Sequence, residues 1–317
     1  MPVDQSVEPF DRGFLDVGSG HLLYYEQVGN KSGTPVVYLH GGPGAGFTPG
    51  TRKNFDPQLH RAILYDQRAA GQSTPHASQD DVHWGSINLD HHLADMEQLR
   101  EHLEIPDWIV FGVSWGTILG AVYAQRHPDR TRALVLGAFS TGTAFDVDWL
   151  TVHAGRFFPA EWHAFANHVP VSMRKLRIVD AYNELLMNPE PAIHNAAAEA
   201  WCNWENAHVN TTANFRPHPR FDDPKFRLGF ARQVTHCWRN NNWLTDNQIL
   251  DNASLLANIP GWLIHGRLDL SGPLDAAWKL HQVWPGSTLI VVDDEGHGGI
   301  QMAAHWSRAL QDLAKKQ

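Results

Sequence analysis

Cysteine is nearly missing from this chain. Cys202 and Cys237 are the only two in 317 residues, which rules out a disulfide framework and offers no metal-ligand spacing. Both read as buried thiols. No cluster of Lys and Arg falls on a helical or loop pattern, and the net charge is -9. Nucleic acid and anionic membrane surfaces are therefore poor partners, and a neutral or cationic substrate fits better. No apolar run approaches the roughly 18 residues that a membrane span needs, and "MPVDQSVEPF" has no basic stretch followed by an apolar one, so the expected location is the cytoplasm. Repeats and low-complexity tracts are also missing.

What is present is apolar and aromatic. A 43% hydrophobic fraction, 13 tryptophans and 19% charged residues describe a globular protein with a large core. "PVVYLH" (35–40), "RAILYD" (61–66), "WIVFGV" (108–113), "RALVLG" (132–137), "GWLIHG" (261–266) and "TLIVVD" (288–293) are short apolar runs suited to buried parallel strands. "LLYYEQV" (22–28) predicts one more strand near the N-terminus, of antiparallel type. Between the runs lie amphipathic stretches: Leu89, Leu93, Met96, Leu99 and Leu103 keep the period of a helix with one apolar face. Strands alternating with helices imply an α/β fold with a mostly parallel sheet flanked by helices. The alternation stops between about 143 and 250, where helical and Trp-rich patterns take over. The expected organisation is a sheet core built from 1–142 and 251–317, interrupted by a helical cap at 143–250.

"FGVSWGTILG" (111–120) sets Ser114 between two glycines, after a strand and before a helix. This is the pattern of a nucleophile elbow, in which the serine takes a strained turn and small neighbours let the chain double back. Three fixed residues at roughly 7% each predict about 0.1 chance matches in such a chain, so the strand and helix context strengthens the reading. A serine hydroxyl needs a general base and an orienting carboxylate. Asp269, in "HGRLDLSG", follows the strand 261–266, and His297, in "DDEGHGG", follows the strand 288–293. The order Ser, Asp, His is that of α/β-hydrolases. Asp293, Asp294 and Glu295 are rival carboxylates, but they stand too close to His297 in sequence to orient its ring easily. An oxyanion hole needs two N–H donors. Trp115, the residue after the nucleophile, supplies one. "HGGPG" (40–44) supplies the other, and since Pro43 has no N–H, Gly42 is the candidate.

These motifs together resemble the prolyl aminopeptidase (proline iminopeptidase) family of serine peptidases with the α/β-hydrolase fold. "HGGPG", "DQRAAGQS" (66–73), "GVSWG", "AVYAQRHPDR" (121–130), "WCNWE" (201–205), "FARQVTH" (230–236), "HGRLD" and "GHG" occur in the family's order. The likeness runs from about residue 16 to 300. It implies cleavage of an N-terminal residue, typically proline, from a small peptide or aminoacyl amide with a free amine, without a metal or organic cofactor.

The resemblance also assigns Glu205 to the substrate's ammonium group. Independently, Trp201, Trp204, Glu205 and His208 fall at i, i+3, i+4 and i+7, so that carboxylate shares a helix face with two indoles and calls for a cationic partner. An ion pair with Arg232 is the competing structural reading. Trp201, Trp204 and Val234 are expected on the pocket wall. Val234 stands where relatives carry a second amine-binding glutamate, a loss of about 1 to 3 kcal/mol of ammonium binding. The vacated volume is expected to be apolar and to admit residues such as alanine beside proline. Ala69 replaces a usual glycine and is expected to reshape a loop near the pocket. The same triad would cleave small esters, so a carboxylesterase is the second reading and a non-catalytic binding protein the third.

Overall fold

The computed structural model describes residues 8–209, 211–212 and 216–315. Eight strands form one sheet: β1 (Asp11–Asp16), β2 (Leu22–Gly29), β3 (Thr34–Leu39), β4 (His60–Tyr65), β5 (Trp108–Val113), β6 (Thr131–Gly137), β7 (Gly261–Gly266) and β8 (Ser287–Val292). Their order is β1-β2-β4-β3-β5-β6-β7-β8. β1 and β2 pair antiparallel, β2 meets β4 antiparallel, and every pairing from β4 to β8 is parallel. β1 escapes the sequence reading because "DRGFLD" alternates part-buried with exposed residues and shows no apolar run. It is an edge strand.

The interior strands are apolar throughout because both faces are covered. Val37, Leu39, Val110, Leu134 and Leu136 face the layer containing α1 (Leu89–His102) and α2 (Trp115–Arg126). Val36, Ile109, Phe111 and Val135 face the opposite way, against Met302, Trp306 and Leu310 of α10 (Ile300–Ala314). α2 is buried from Trp115 to Gln125, as expected of a helix that is apolar nearly all round. Its side towards the sheet is crowded. A Cβ on Gly112 would strike the Gly116 carbonyl, and one on Gly116 would strike that of Leu39.

Between β6 and β7 the chain forms α3 (Ala144–Thr151), α4 (Pro159–His168), α5 (Ile178–Leu186), α6 (Pro191–Val209), α7 (Pro224–Arg239) and α8 (Gln248–Asp251), and α9 (Asp275–Val283) follows β7. α4 to α7 pack on one another around stacked and edge-on rings of Phe165, Tyr182, Trp201 and Trp204. α8 instead packs on α2 and α9, so the chain has rejoined the sheet layers before residue 250. No helix among the described residues is long and apolar enough to cross a membrane.

Candidate active site

Strand register assembles the site. Leu39 of β3 lies opposite Gly112 of β5, Val113 opposite Gly137 of β6, and Gly266 of β7 opposite Val292 of β8. The loops leaving these strands therefore emerge side by side at the carboxyl edge of the sheet, where open α/β sheets bind ligands.

Ser114 stands between β5 and α2 with φ 55° and ψ −128°, a backbone state unusual for a residue with a side chain. Its N–H donates to Gly137 O at 2.9 Å, and its carbonyl accepts from Thr117 N at 2.8 Å and Thr117 Oγ1 at 2.6 Å. These bonds hold the strained turn. His297 Nε2 lies 2.8 Å from Ser114 Oγ, and His297 Nδ1 lies 2.8 Å from Asp269 Oδ2. The second oxygen of Asp269 accepts the Ser271 and Gly272 amides, each at 2.9 Å. With Asp269 accepting at Nδ1, the imidazole carries its proton there and presents a free lone pair to the serine hydroxyl. Burial acts to lower the His297 pKa, but the Asp269 carboxylate outweighs it, and the net shift is upward from 6.5. Burial acts to raise Asp269, and the charge and hydrogen bond of His297 carry it below the usual carboxylate value.

Two of the rival carboxylates have other partners. Glu295 accepts the Gln301 and Met302 amides at 2.7 Å each, which caps α10 and fixes the loop carrying His297. Asp293 pairs with Arg267.

The loop after β3 lies against the serine. A Cβ on Gly41 would come within 2.8 Å of Ser114 Cβ, and Gly42 has φ +110°, which favours glycine. His40 fixes this loop. Burial lowers its pKa to about 4, so the ring is neutral. Its Nε2 accepts the Gln67 amide at 3.0 Å, and its Nδ1 lies 3.0 Å from the Gly41 carbonyl and 3.2 Å from Gly46 N. Asp66, with its pKa raised by burial to about 6, accepts the Phe47 and Gln72 amides at 2.9 and 2.8 Å and ties the loop to the next one. In that second loop Ala69 is fully buried at φ +59°. It takes the left-handed conformation that favours glycine, at about 1 to 2 kcal/mol of strain. Trp115 N–H belongs to the first turn of α2, where amides have no partner within the helix. Its indole is set by Asn242, whose Oδ1 accepts Trp115 Nε1 at 2.8 Å while its Nδ2 donates to Gly142 O at 2.7 Å. Sequence reasoning missed Asn242. The run "NNN" at 240–242 was its signal, since asparagine tolerates the positive φ of 51° found there.

Two cavities, of about 50 and 520 Å³, share Gly42, Ser114, Glu205, Val209 and His297 in their walls. Ser140, Ser271 and Trp238 add to the smaller, and Phe221, Phe226 and Phe230 to the larger. Glu205, with its side chain 12% exposed, places Oε2 3.2 Å from His208 Nε2, and His208 in turn meets Ser271 Oγ at 2.8 Å. Arg232 is elsewhere, bound to the carbonyls of Leu186 and Ala77, so the structural partner of Glu205 is His208 and not Arg232.

Three expected pocket residues are corrected. Trp201 is fully buried edge-on to Trp238, which is the residue that reaches the cavity. Trp204 stacks on Phe165 and donates to the Leu150 carbonyl at 3.1 Å. Indoles this large were needed inside the helical layer, where they bury more apolar surface than on a wall. Val234 is 0% exposed. Its neighbours one turn away, Phe230 and Trp238, line the cavities, while the valine itself is packed over, so the apolar volume expected beside it is filled.

Comparison with known proteins agrees with this architecture. Residues 34–300 match the alpha/beta hydrolase fold family. A probable proline iminopeptidase of Streptomyces coelicolor is 44% identical over 306 residues, covering 94% of this chain and 93% of that protein. A proline iminopeptidase of Arabidopsis thaliana is 40% identical, covering 92% and 76%. Among solved structures, the proline iminopeptidase of Mycobacterium smegmatis superposes with a TM-score of 0.60 at 17% identity over 96% of this chain and 99% of that one, a likeness of fold. On these matches the chain belongs to the proline iminopeptidase family of α/β-hydrolase-fold proteins.

Proposed function

We propose that this protein is a cytoplasmic serine hydrolase, independent of metal or organic cofactor, that removes an N-terminal proline or other small residue from a short peptide or aminoacyl amide. Ser114 Oγ attacks the amide carbonyl as His297 Nε2 takes its proton, and the Asp269 carboxylate stabilises the imidazolium. The Gly42 and Trp115 amides receive the oxyanion. Collapse of the tetrahedral species transfers the proton to the leaving amine and leaves an aminoacyl ester on Ser114, which water hydrolyses by the same steps in reverse. Glu205 binds the free ammonium group. The smaller cavity takes the N-terminal residue, the larger one the leaving group, and the helices α3 to α7 act as a cap over both.

The observation that carries this reading is the pair of 2.8 Å contacts joining Ser114, His297 and Asp269 in a cavity whose wall also holds the Glu205 carboxylate. Its membership among proline iminopeptidases gives the reaction class. Two buried, unpaired thiols, Cys202 and Cys237, support a reducing compartment.

Prolyl and alanyl 4-nitroanilides test the proposal directly. Wild-type protein should release nitroaniline from both, with alanine within about a hundredfold of proline. Ser114→Ala should lower turnover by on the order of 10⁴-fold or more with the thermal transition retained. Near-wild-type activity in that variant would overturn the assignment of the nucleophile.

A further inference from the structure

We infer that Asp146 is a second ammonium-binding carboxylate, taking over from another element the charge that the family resemblance expects at position 234. The inference rests on the proposed reading that the substrate enters with a free amine. It concerns which groups hold that amine.

Asp146 is the third residue of α3, immediately after the turn that leaves β6. Every hydrogen bond that the described residues give it ends on Oδ2: from Ser140 Oγ at 3.0 Å, Thr141 Oγ1 at 2.6 Å and Gly142 N at 2.8 Å. Three donors on one oxygen fix the side chain's direction. Oδ1 is left for a ligand. The cavity it reaches is the smaller one, whose wall includes Ser114, His297 and Glu205.

The charge of that wall decides what the ligand is. Among the described residues lining it are two carboxylates, Asp146 and Glu205, and neither lysine nor arginine. The cationic-capable groups present are the imidazoles of His208, held against Glu205, and His297, held against Asp269. Among the described residues Asp146 makes no hydrogen bond or ion pair to either. It is therefore the acidic group of this wall without an imidazole beside it, and a substrate ammonium is the complement the cavity lacks. Val147 and Leu150, further along the same helix, supply apolar wall for the carbon frame of a small N-terminal residue.

The alternative is that Asp146 only clamps the 140–142 turn. Asp146→Asn separates the two roles, because an amide oxygen can still accept the three clamping bonds while an uncharged NH₂ replaces Oδ1. The measurement compares prolyl 4-nitroanilide with cyclopentanecarbonyl 4-nitroanilide, in which a methylene replaces the ring nitrogen. We expect the ratio of kcat/KM between the two to fall about ten- to a hundredfold in Asp146→Asn, chiefly through KM for the prolyl substrate. Asp146→Glu, which keeps the charge on a flexible stem, should retain most of the ratio and serves if the first variant does not fold. An unchanged ratio in Asp146→Asn, or equal losses in Asn and Glu variants, would leave Asp146 as a turn clamp. If the wild type itself shows no preference for the prolyl substrate, the aminopeptidase reading falls and this assignment with it. A wild-type preference that survives Asp146→Asn overturns the assignment alone.

Discussion

In the proposed mechanism His297 must give up its proton before it can accept one from Ser114, so the raised pKa of its ring would set the acid side of the pH profile. Asp269 is the main group raising it, against the opposing effect of burial. As pH falls through that raised value the imidazole becomes imidazolium, and kcat/KM should fall with a midpoint above 6.5, the ordinary imidazole value. Asp269→Asn removes the larger raising group and leaves the Glu205 charge alone to oppose burial. The midpoint should then move down, while kcat drops by on the order of 10⁴-fold because the ring's tautomer is no longer held. A pH series of kcat/KM for both proteins, using a substrate whose leaving group does not titrate, measures the shift. An unchanged midpoint would mean that another group titrates there. At this scale the sequence was informative where chemistry demands one residue type. Ser114, Asp269 and His297 stand in loops directly after strands, and the hydrogen-bonded set is the one their order suggests. It was uninformative for Trp201, Trp204 and Val234, because a helical period says which residues share a face and not whether that face meets a cavity or another helix.

The elbow between β5 and α2 works only because the helix lies almost against the strands. The glycine two residues after Ser114 permits this approach: a Cβ on Gly116 would overlap the Leu39 carbonyl and come within 2.9 Å of that of His40. Both atoms belong to backbone, which cannot rotate aside. Gly116→Ala should therefore push α2 outward or displace the loop that begins at His40, costing about 1 to 3 kcal/mol as overpacking does. It should also lower kcat more than it raises KM, since the oxyanion donors lie on the two elements driven apart. Thermal melting together with steady-state kinetics checks both, and a variant with unaltered kcat would show that the elbow tolerates the shift. The interior strands were legible because each is a short apolar run covered on both faces. β1 was not, since a strand at the edge with water on one side needs no such run. The expected boundary at 250 falls inside α8, because four residues carry no period, and packing on α2 and α9 places that helix against the sheet layers.

The helices inserted after β6 share one apolar cluster with the face of the sheet beneath them, so the carboxyl edge of the sheet and these helices are coupled through packing and through a few buried polar groups. Asn242 is one of these. It is 1% exposed and sits in a run of three left-handed residues, Asn241 to Trp243, after α7. Its amide joins Gly142, at the start of the insertion, to the indole of Trp115, whose backbone N–H is proposed to receive the oxyanion. Nothing in an apolar or helical pattern marks such a residue, because its role depends on segments about a hundred positions apart. Asn242→Gly tests it without adding backbone strain, since glycine accepts the same φ of 51°. The substitution leaves a buried indole N–H and a buried carbonyl unpaired, each costing about 1 to 3 kcal/mol, and the transition temperature should fall accordingly. If the bridge also aligns Trp115, kcat should drop about tenfold well below that temperature, with a smaller change in KM, because the loss falls on an interaction made in the transition state. A lower transition temperature with kcat unchanged would confine Asn242 to holding the insertion in place. A tenfold loss of kcat would make the inserted helices part of the catalytic geometry.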